Sequence, residues 1–361
     1  MRCSTAPLAT FALPKGSKGK TLTPDGTERP FTVTLGRMSL GEFDIIARYF
    51  TRKSTRSDVL LGIGDDAAVL DAQAGRKLVV AMDTIVEGVH FLVDTDAADI
   101  GYRALAVNLS DLAAMGAEPA WMTLSLSLPR ANEQWLAGFA SGLFELAQQY
   151  DVALVGGDTV RGPLVITVQI AGWVESDAWL TRSGAKPGDL LFVSGIPGEA
   201  AAGLAVIQRR IIGGESAAFL KHRFLRPRPR IELGRQLRNV ATSAMDVSDG
   251  LLTDLKKLCA ASGCGAQLNV DALPESAAMR ELFEADDGLQ YALAGGDDYE
   301  LLFTLPPGEA PALLSKLQLQ QRVTQIGVIT ADSAVQCLRD GQPFRIKRGG
   351  YDHFAAGEQD S

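Results

Sequence analysis

Histidine and cysteine are scarce: three and four residues in a chain of 361. No serine, cysteine or histidine stands in a recognisable nucleophile–base arrangement, so covalent catalysis has no visible support. Cys3, Cys259, Cys264 and Cys337 lack the paired C-x-x-C spacing of a zinc site. Cys259 and Cys264 read as buried or half-buried thiols of a reducing cytoplasm. No apolar run reaches the ~18 residues of a membrane span, and none in residues 1–37 forms the core of a signal peptide. Positive charge is in deficit: 35 Lys and Arg against 43 Asp and Glu give a net charge of −8. That balance argues against nucleic acid as a partner, because a phosphate backbone calls for basic patches. A small polyanion remains compatible if metal ions mediate the contact.

Acidic clusters, most of them beside glycine or at the end of an apolar run, are what the chain has instead. Leu61-Gly62-Ile63-Gly64-Asp65-Asp66-Ala67 is the first, followed by Met82-Asp83-Thr84, Ser110-Asp111, Gly156-Gly157-Asp158 and Asp246-Val247-Ser248-Asp249-Gly250. Glycine lets a backbone approach a phosphate closely, but two adjacent carboxylates would repel a bare one. A divalent cation between loop and phosphate resolves the conflict, since Mg²⁺ takes carboxylate, water and phosphate oxygens. An acid at a helix start also caps that helix, which accounts for Asp111 or Asp249 singly but poorly for the whole set. No twelve-residue EF-hand spacing is present. Gly19-Lys20-Thr21 imitates the end of a phosphate loop, but Pro14 stands where its first glycine belongs. Gly62-Ile63-Gly64 imitates a dinucleotide fingerprint, yet places acids where a pyrophosphate would rest.

Residues 1–37 read as a disordered extension, with Met38 a candidate start of the native chain. From Ser39 the apolar spacing at 43, 46, 47 and 50 predicts a helix. Leu78 to Met82 reads as a buried strand ending at Asp83, 101–115 as a helix, 121–128 as a strand and 135–150 as a helix. Residues 152–155 read as a strand entering the Gly156-Gly157-Asp158 loop, with another strand over 164–174. The predicted organisation is a domain over 38–174, a second α/β domain over 175–354, and a tail over 355–361. Alternating strands and helices give an α/β (α+β) fold class.

Taken in order, Gly62-Ile63-Gly64-Asp65-Asp66-Ala67, Asn108 to Ala117, Gly156-Gly157-Asp158-Thr159, Leu180 to Asp189, Ser248-Asp249-Gly250-Leu251 and Gly350-Tyr351-Asp352-His353-Phe354 resemble the thiamine-monophosphate kinase family. That family belongs to the aminoimidazole ribonucleotide synthetase-like superfamily. The resemblance implies phosphorylation of thiamine monophosphate by ATP, a two-domain fold, and an N-terminal sheet that pairs across a homodimer. It implies magnesium held by Asp66, Asp83, Asp111, Asp158 and Asp246, with a further ion at Asp249 and a backbone contact at Met82. Gly157, Arg182 and Ser248 would contact ATP; His90, Asp297 and Tyr351 would contact the acceptor. Three positions depart from the family pattern: Met82 replaces a hydroxyl residue, Asp297 replaces a glutamate, and Arg348 stands near the place of an aromatic. Two other classes stay open at this point. One is a sister chemistry in which ATP activates an amide oxygen; the other is a non-catalytic nucleotide-binding regulator.

Overall fold

A run of apolar residues beside Gly and Asp recurs through the chain, and the structure, a computed structural model, shows what each run becomes. It describes residues 19–22, 28–31, 40–211, 213–316 and 322–344. Two units separate, Met1–Gly41 and Glu42–Ser361. In the first, β1 (Gly19–Leu22) pairs antiparallel with β2 (Glu28–Phe31), a hairpin inside the stretch read as a disordered extension. Tyr351, Arg348 and the Gly-Tyr-Asp-His-Phe motif lie outside the described residues.

The second unit begins with α1 (Glu42–Ile45), which continues as a π-helical turn over Ile46–Phe50. The wider turn changes the predicted face: Ile45, Tyr49 and Phe50 are buried, whereas Phe43 is 83% exposed. A short hairpin, β3 (Val59–Leu61) with β4 (Val69–Leu70), carries the first acidic Gly loop between its strands. There follow β5 (Arg76–Val86), α2 (Ala97–Ala114), β6 (Glu118–Leu128), α3 (Glu133–Gln149), β7 (Ala153–Arg161) and β8 (Val165–Glu175). The four long strands form one sheet in the order β5-β8-β6-β7, antiparallel except for the β6–β7 pair. Asp96 caps α2 and Asn132 caps α3, each side chain accepting a first-turn amide. The two helices touch backbone to backbone. A Cβ at Gly142 would lie 1.8 Å from the Ala98 carbonyl oxygen, and one at Gly101 2.1 Å from that of Phe139.

The expectation that β5 is buried and ends at Asp83 is corrected. The strand runs through Asp83 to Val86, and Leu78, Val80 and Met82 are 49, 51 and 64% exposed. It is an edge strand, so alternate residues point away from the helices, and an apolar run marks an open face rather than burial on both sides. Likewise Gly156-Gly157-Asp158 lies inside β7 rather than in a loop beyond it. Gly157 adopts φ +152°, and a Cβ there would meet the Leu124 carbonyl oxygen at 1.9 Å, so only glycine lets β7 approach β6 this closely.

After Gly188 the chain builds a second α/β half: β9 (Leu190–Ser194), α4 (Glu199–Gln208), α5 (Glu215–Leu225), α6 (Ile231–Leu237), β10 (Ser243–Val247), α7 (Leu251–Ser262) and β11 (Gly265–Asn269). Then come α8 (Ala277–Leu282), α9 (Ala285–Ala294), β12 (Glu300–Leu305), α10 (Ala310–Lys316), β13 (Val323–Thr330), β14 (Val335–Arg339) and β15 (Gln342–Phe344). Its sheet has the order β10-β12-β9-β13-β11-β14-β15. Leu191, Val193, Met245, Leu255 and Leu302 are among the residues that form its core. Helix α2 packs on β5 and β8 of the first sheet and on α6 and β10 of the second half. It is buried almost all round, which explains polar residues inside it: Arg103, Asn108 and Ser110 are all buried. Cys259, Cys264 and Cys337 are free and buried, as thiols rather than as a disulfide.

Candidate active site

One cleft of about 410 Å³ gathers most of the predicted side chains. Asp83 of β5, His90, Asp111 of α2, Arg182, Asp246 of β10, Ser248, Asp249 and Asp297 line it, together with Thr84 and Tyr299. A second cleft of about 680 Å³ holds Asp66, Gly157 and Asp158, walled by Phe43, Ile46, Phe50, Leu154 and Val155. The predicted set is therefore divided, eight residues in the first cleft and three in the second. Met82 belongs to neither lining; its side chain lies on the face of β5 opposite Asp83. A polar row joins the two places. Thr84 pairs with Thr167, Thr167 with Ser125, and Ser125 with Asp158 across all four strands of the first sheet. The Thr84 and Thr167 hydroxyls are 2.8 Å apart.

Contacts from neighbouring elements hold several of the acidic positions in the first cleft. The Asp83 amide, on the free edge of β5, donates to Asn108 Oδ1 of α2 at 3.0 Å, while Asn108 donates to the Ala104 carbonyl at 2.9 Å. Ser110 Oγ donates to Asp246 Oδ2 at 2.8 Å, joining α2 to β10. The buried Asp254 accepts the Ser248 and Asp249 amides at 3.0 Å each and so fixes the loop before α7. Lys257 pairs with Asp249 and, at 2.9 Å, with Asp254. Among the described residues, Asp249 is thus the one acid of the cleft paired with a lysine. His90 Nδ1 accepts the Val86 amide at 3.1 Å, which leaves the proton of the neutral ring on Nε2.

Burial and mutual repulsion raise the proton affinity of this cluster. Burial pushes the Asp111 carboxyl well up, and the charges of Asp246 and Asp83 push it further, against the pull of Arg182. Asp246 is pushed up by burial and by Asp254 and Asp83, against the Ser110 hydrogen bond and Arg182. Asp83 is raised by burial and by Asp249. Such carboxylates are hard oxygen donors short of positive charge. Among the described residues no three His, Cys or acidic side chains close on a single point as a complete metal cage. Magnesium does not need one, because it is usually held by one or two carboxylates, waters and substrate phosphates. The donor set therefore fits a phosphate-bound Mg²⁺.

Sequence reasoning missed Arg103, Asn108, Ser110, Lys257 and Thr84. Arg103 and Asn108 carried a signal, as polar residues flanking the apolar run 104–107 inside a helix. Thr84 and Ser110 were visible only as neighbours of acids.

Comparison with known proteins bears on the fold and the family. Residues 64–174 match the family described as AIR synthase related protein, N-terminal domain, and residues 186–338 match its C-terminal domain. The thiamine-monophosphate kinase of Salmonella typhimurium is 51% identical over 323 residues, covering 88% of this chain and 99% of that protein. The Bacillus subtilis enzyme of the same name is 36% identical, covering 87% and 100%. A crystal structure of thiamine-monophosphate kinase from Stenotrophomonas maltophilia superposes with a TM-score of 0.78 at 48% identity, over 83% of this chain and 97% of that one. AaThiL complexed with AMPPCP and TMP superposes with a TM-score of 0.70 at 31% identity, over 81% and 92%.

The raised acids set a pH dependence. A carboxyl whose pKa is raised on folding binds its proton more tightly in the folded state, so its contribution to stability is complete below the unfolded value of about 4 and is lost as pH rises through the folded one. In metal-free buffer the protein is expected to lose thermal stability as pH rises through the neutral range. Asp111→Asn should then raise the melting temperature at pH 8 in chelator, by roughly 2–4 °C per kcal/mol of repulsion relieved. Differential scanning calorimetry with and without Mg²⁺ checks this; a variant that melts below the wild type in chelator would contradict it. Fold, motif order and sequence identity together place this chain in the thiamine-monophosphate kinase family of AIR synthase-related proteins.

Proposed function

We propose that this chain transfers the γ-phosphoryl group of ATP to thiamine monophosphate, giving thiamine diphosphate and ADP in the last step of thiamine diphosphate formation. The observation that carries the reading is the cleft in which carboxylates from both α/β halves face one another with Arg182 and no nucleophile–base pair. Phosphoryl transfer is governed by positioning and charge neutralisation, and it asks little covalent help of the protein. The acceptor is itself a phosphate, largely ionised near neutrality because its second pKa is about 6, so no general base is required.

Magnesium bound to Asp66, Asp83, Asp111, Asp158 and Asp246 would screen the two polyanions from each other and from the protein. Asp249 joins that set only by exchanging Lys257 for an ion, and at Met82 only the backbone oxygen is a donor. Arg182 offers its guanidinium to nucleotide phosphate, Ser248 its hydroxyl, and Gly157 an approach free of any side chain. The apolar wall of Phe43, Ile46, Phe50 and Leu154 beside Asp158 suits the base and ribose of ATP. His90 and Asp297 contact the acceptor, and Tyr351 is assigned the same role by resemblance. The sister amide-activating chemistry and the regulator reading lose support to the family membership and to the intact set of acids. We place the reaction in the cytoplasm; among the described residues no helix is long and apolar enough to cross a membrane.

Mass-resolved product analysis from ATP and thiamine monophosphate tests the assignment. Metal-dependent thiamine diphosphate with equimolar ADP is expected, and Asp111→Asn should reduce turnover by about a hundredfold or more. ATP consumption only with another acceptor would overturn it.

We further propose a homodimer joined along β5, supported by the exposed Leu78, Val80 and Met82 on a strand at the end of its sheet. Analytical ultracentrifugation should give twice the chain mass for the wild type and half of that for Val80→Lys. A monomeric wild type would contradict the proposal.

A further inference from the structure

Arg103 sits in the middle of α2 with its side chain 2% exposed, and it pairs with Asp297, whose side chain is 31% exposed and lines the acid cleft. A buried guanidinium is strongly disfavoured unless it is paired and hydrogen-bonded, so the few partners it has define its purpose. Nη1 donates to the Phe224 carbonyl at 2.6 Å and Nη2 donates to Asp297 Oδ1. The guanidinium carbon lies 4.8 Å from the centroid of the Phe224 ring and 5.8 Å from that of Tyr299, within cation–π range of both. The Tyr299 hydroxyl donates to the same Asp297 Oδ1 at 3.3 Å.

The backbone around Asp297 is fixed as firmly. Asp297 and Tyr299 adopt φ +70° and +51°, left-handed values that a non-glycine residue keeps only when its surroundings impose them. The Asp297 amide donates to the Ser248 carbonyl at 2.8 Å and the Tyr299 amide to that of Val247 at 2.9 Å. Asp298 between them turns the other way, where its carboxylate accepts the Gly198 and Ala200 amides at the start of α4. Glu300 is gripped by Arg223 and Arg230. Among the described residues, Arg103 is thus the contribution to this clamp that comes from the first half of the chain and acts on the residue facing the cleft.

We propose that Arg103 is a positioning residue for acceptor recognition: it pins Asp297 Oδ1, and so fixes where the carboxylate meets thiamine monophosphate. The inference rests on the kinase reading and deepens it. It also gives a physical reason for the aspartate at 297. With Oδ1 anchored on a rigid, buried fork, a side chain one methylene longer would carry the carboxylate out of register with the cleft.

Steady-state kinetics of the full chain with ATP and thiamine monophosphate test this for Arg103→Lys, Asp297→Asn and the double variant, each with a thermal melt. Lysine keeps the charge but loses the planar fork. Arg103→Lys is expected to raise KM for thiamine monophosphate about tenfold, the scale of one charge-assisted hydrogen bond, and to leave KM for ATP within about twofold. The double variant should match Asp297→Asn alone, because Arg103 acts through Asp297. Effects that multiply, or equal changes in both KM values, would overturn the proposal. Where Arg103→Lys fails to fold, Asp297→Glu takes its place: a raised KM for thiamine monophosphate at an unchanged melting temperature supports the clamp, and an unchanged KM overturns it. A wild type that does not phosphorylate thiamine monophosphate at all overturns the kinase reading, and this inference with it.

Discussion

Repulsion between carboxylates is the constraint on which the site depends. Asp83, Asp111, Asp246 and Asp249 share one cleft, where among the described residues Arg182 lines the wall and Lys257 pairs with Asp249. Left alone, such a group would part or protonate, and the raised proton affinity of Asp83, Asp111 and Asp246 records that tendency. The fold prevents parting by fastening the groups through partners that carry no positive charge. Asn108 holds the backbone at Asp83, Ser110 holds Asp246, and the Asp254 carboxylate holds the amides at Ser248 and Asp249. None of these contacts adds much positive charge, so the cluster stays hungry for it. The proposed magnesium ions would supply that charge, and would bring their phosphate ligands with them.

Helix α2 is the element that makes the arrangement possible. It packs on both halves of the chain, and within nine residues it carries Arg103, Asn108, Ser110 and Asp111. Its burial allows these polar groups to act in a water-poor setting, where hydrogen bonds and charges interact more strongly. Close contact with α3 through Gly101 and Gly142 sets its height over the sheet. The second cleft, with Asp66 and Asp158, stands at the far end of the Thr84–Thr167–Ser125–Asp158 row. Neighbouring strands lie about 4.8 Å apart, so that row extends over roughly 14 Å, the scale of an extended nucleotide.

Much of this was legible in the sequence. The ordered motifs named the family, and the α/β alternation named the fold class. The strands around the acids were less legible, each for a local reason. In β5 an open apolar face produces the same run of letters as a doubly buried strand, so Leu78, Val80 and Met82 were read as core. In β7 the pair Gly156-Gly157 looks like a loop, but Gly157 serves the close approach to Leu124 within a continuing strand. At the start of the second unit the π-helical turn shifts burial from Phe43 to Ile45 and Tyr49, a change that a 3.6-residue period cannot foresee. Long-range pairs such as Arg103 with Asp297 leave no trace in spacing at all. Arg103 marked itself only as a cation inside a buried helix.

If the crowded carboxylates work by recruiting divalent ions beyond the one that accompanies ATP, turnover must depend on free Mg²⁺ as well as on Mg·ATP. Initial rates of thiamine diphosphate formation, measured at saturating and constant Mg·ATP while free Mg²⁺ is raised, test it most directly. The rate should keep rising with free Mg²⁺ after the nucleotide is fully complexed, and Asp111→Asn should abolish the rise. A rate that is already maximal when Mg²⁺ and ATP are equimolar would contradict it.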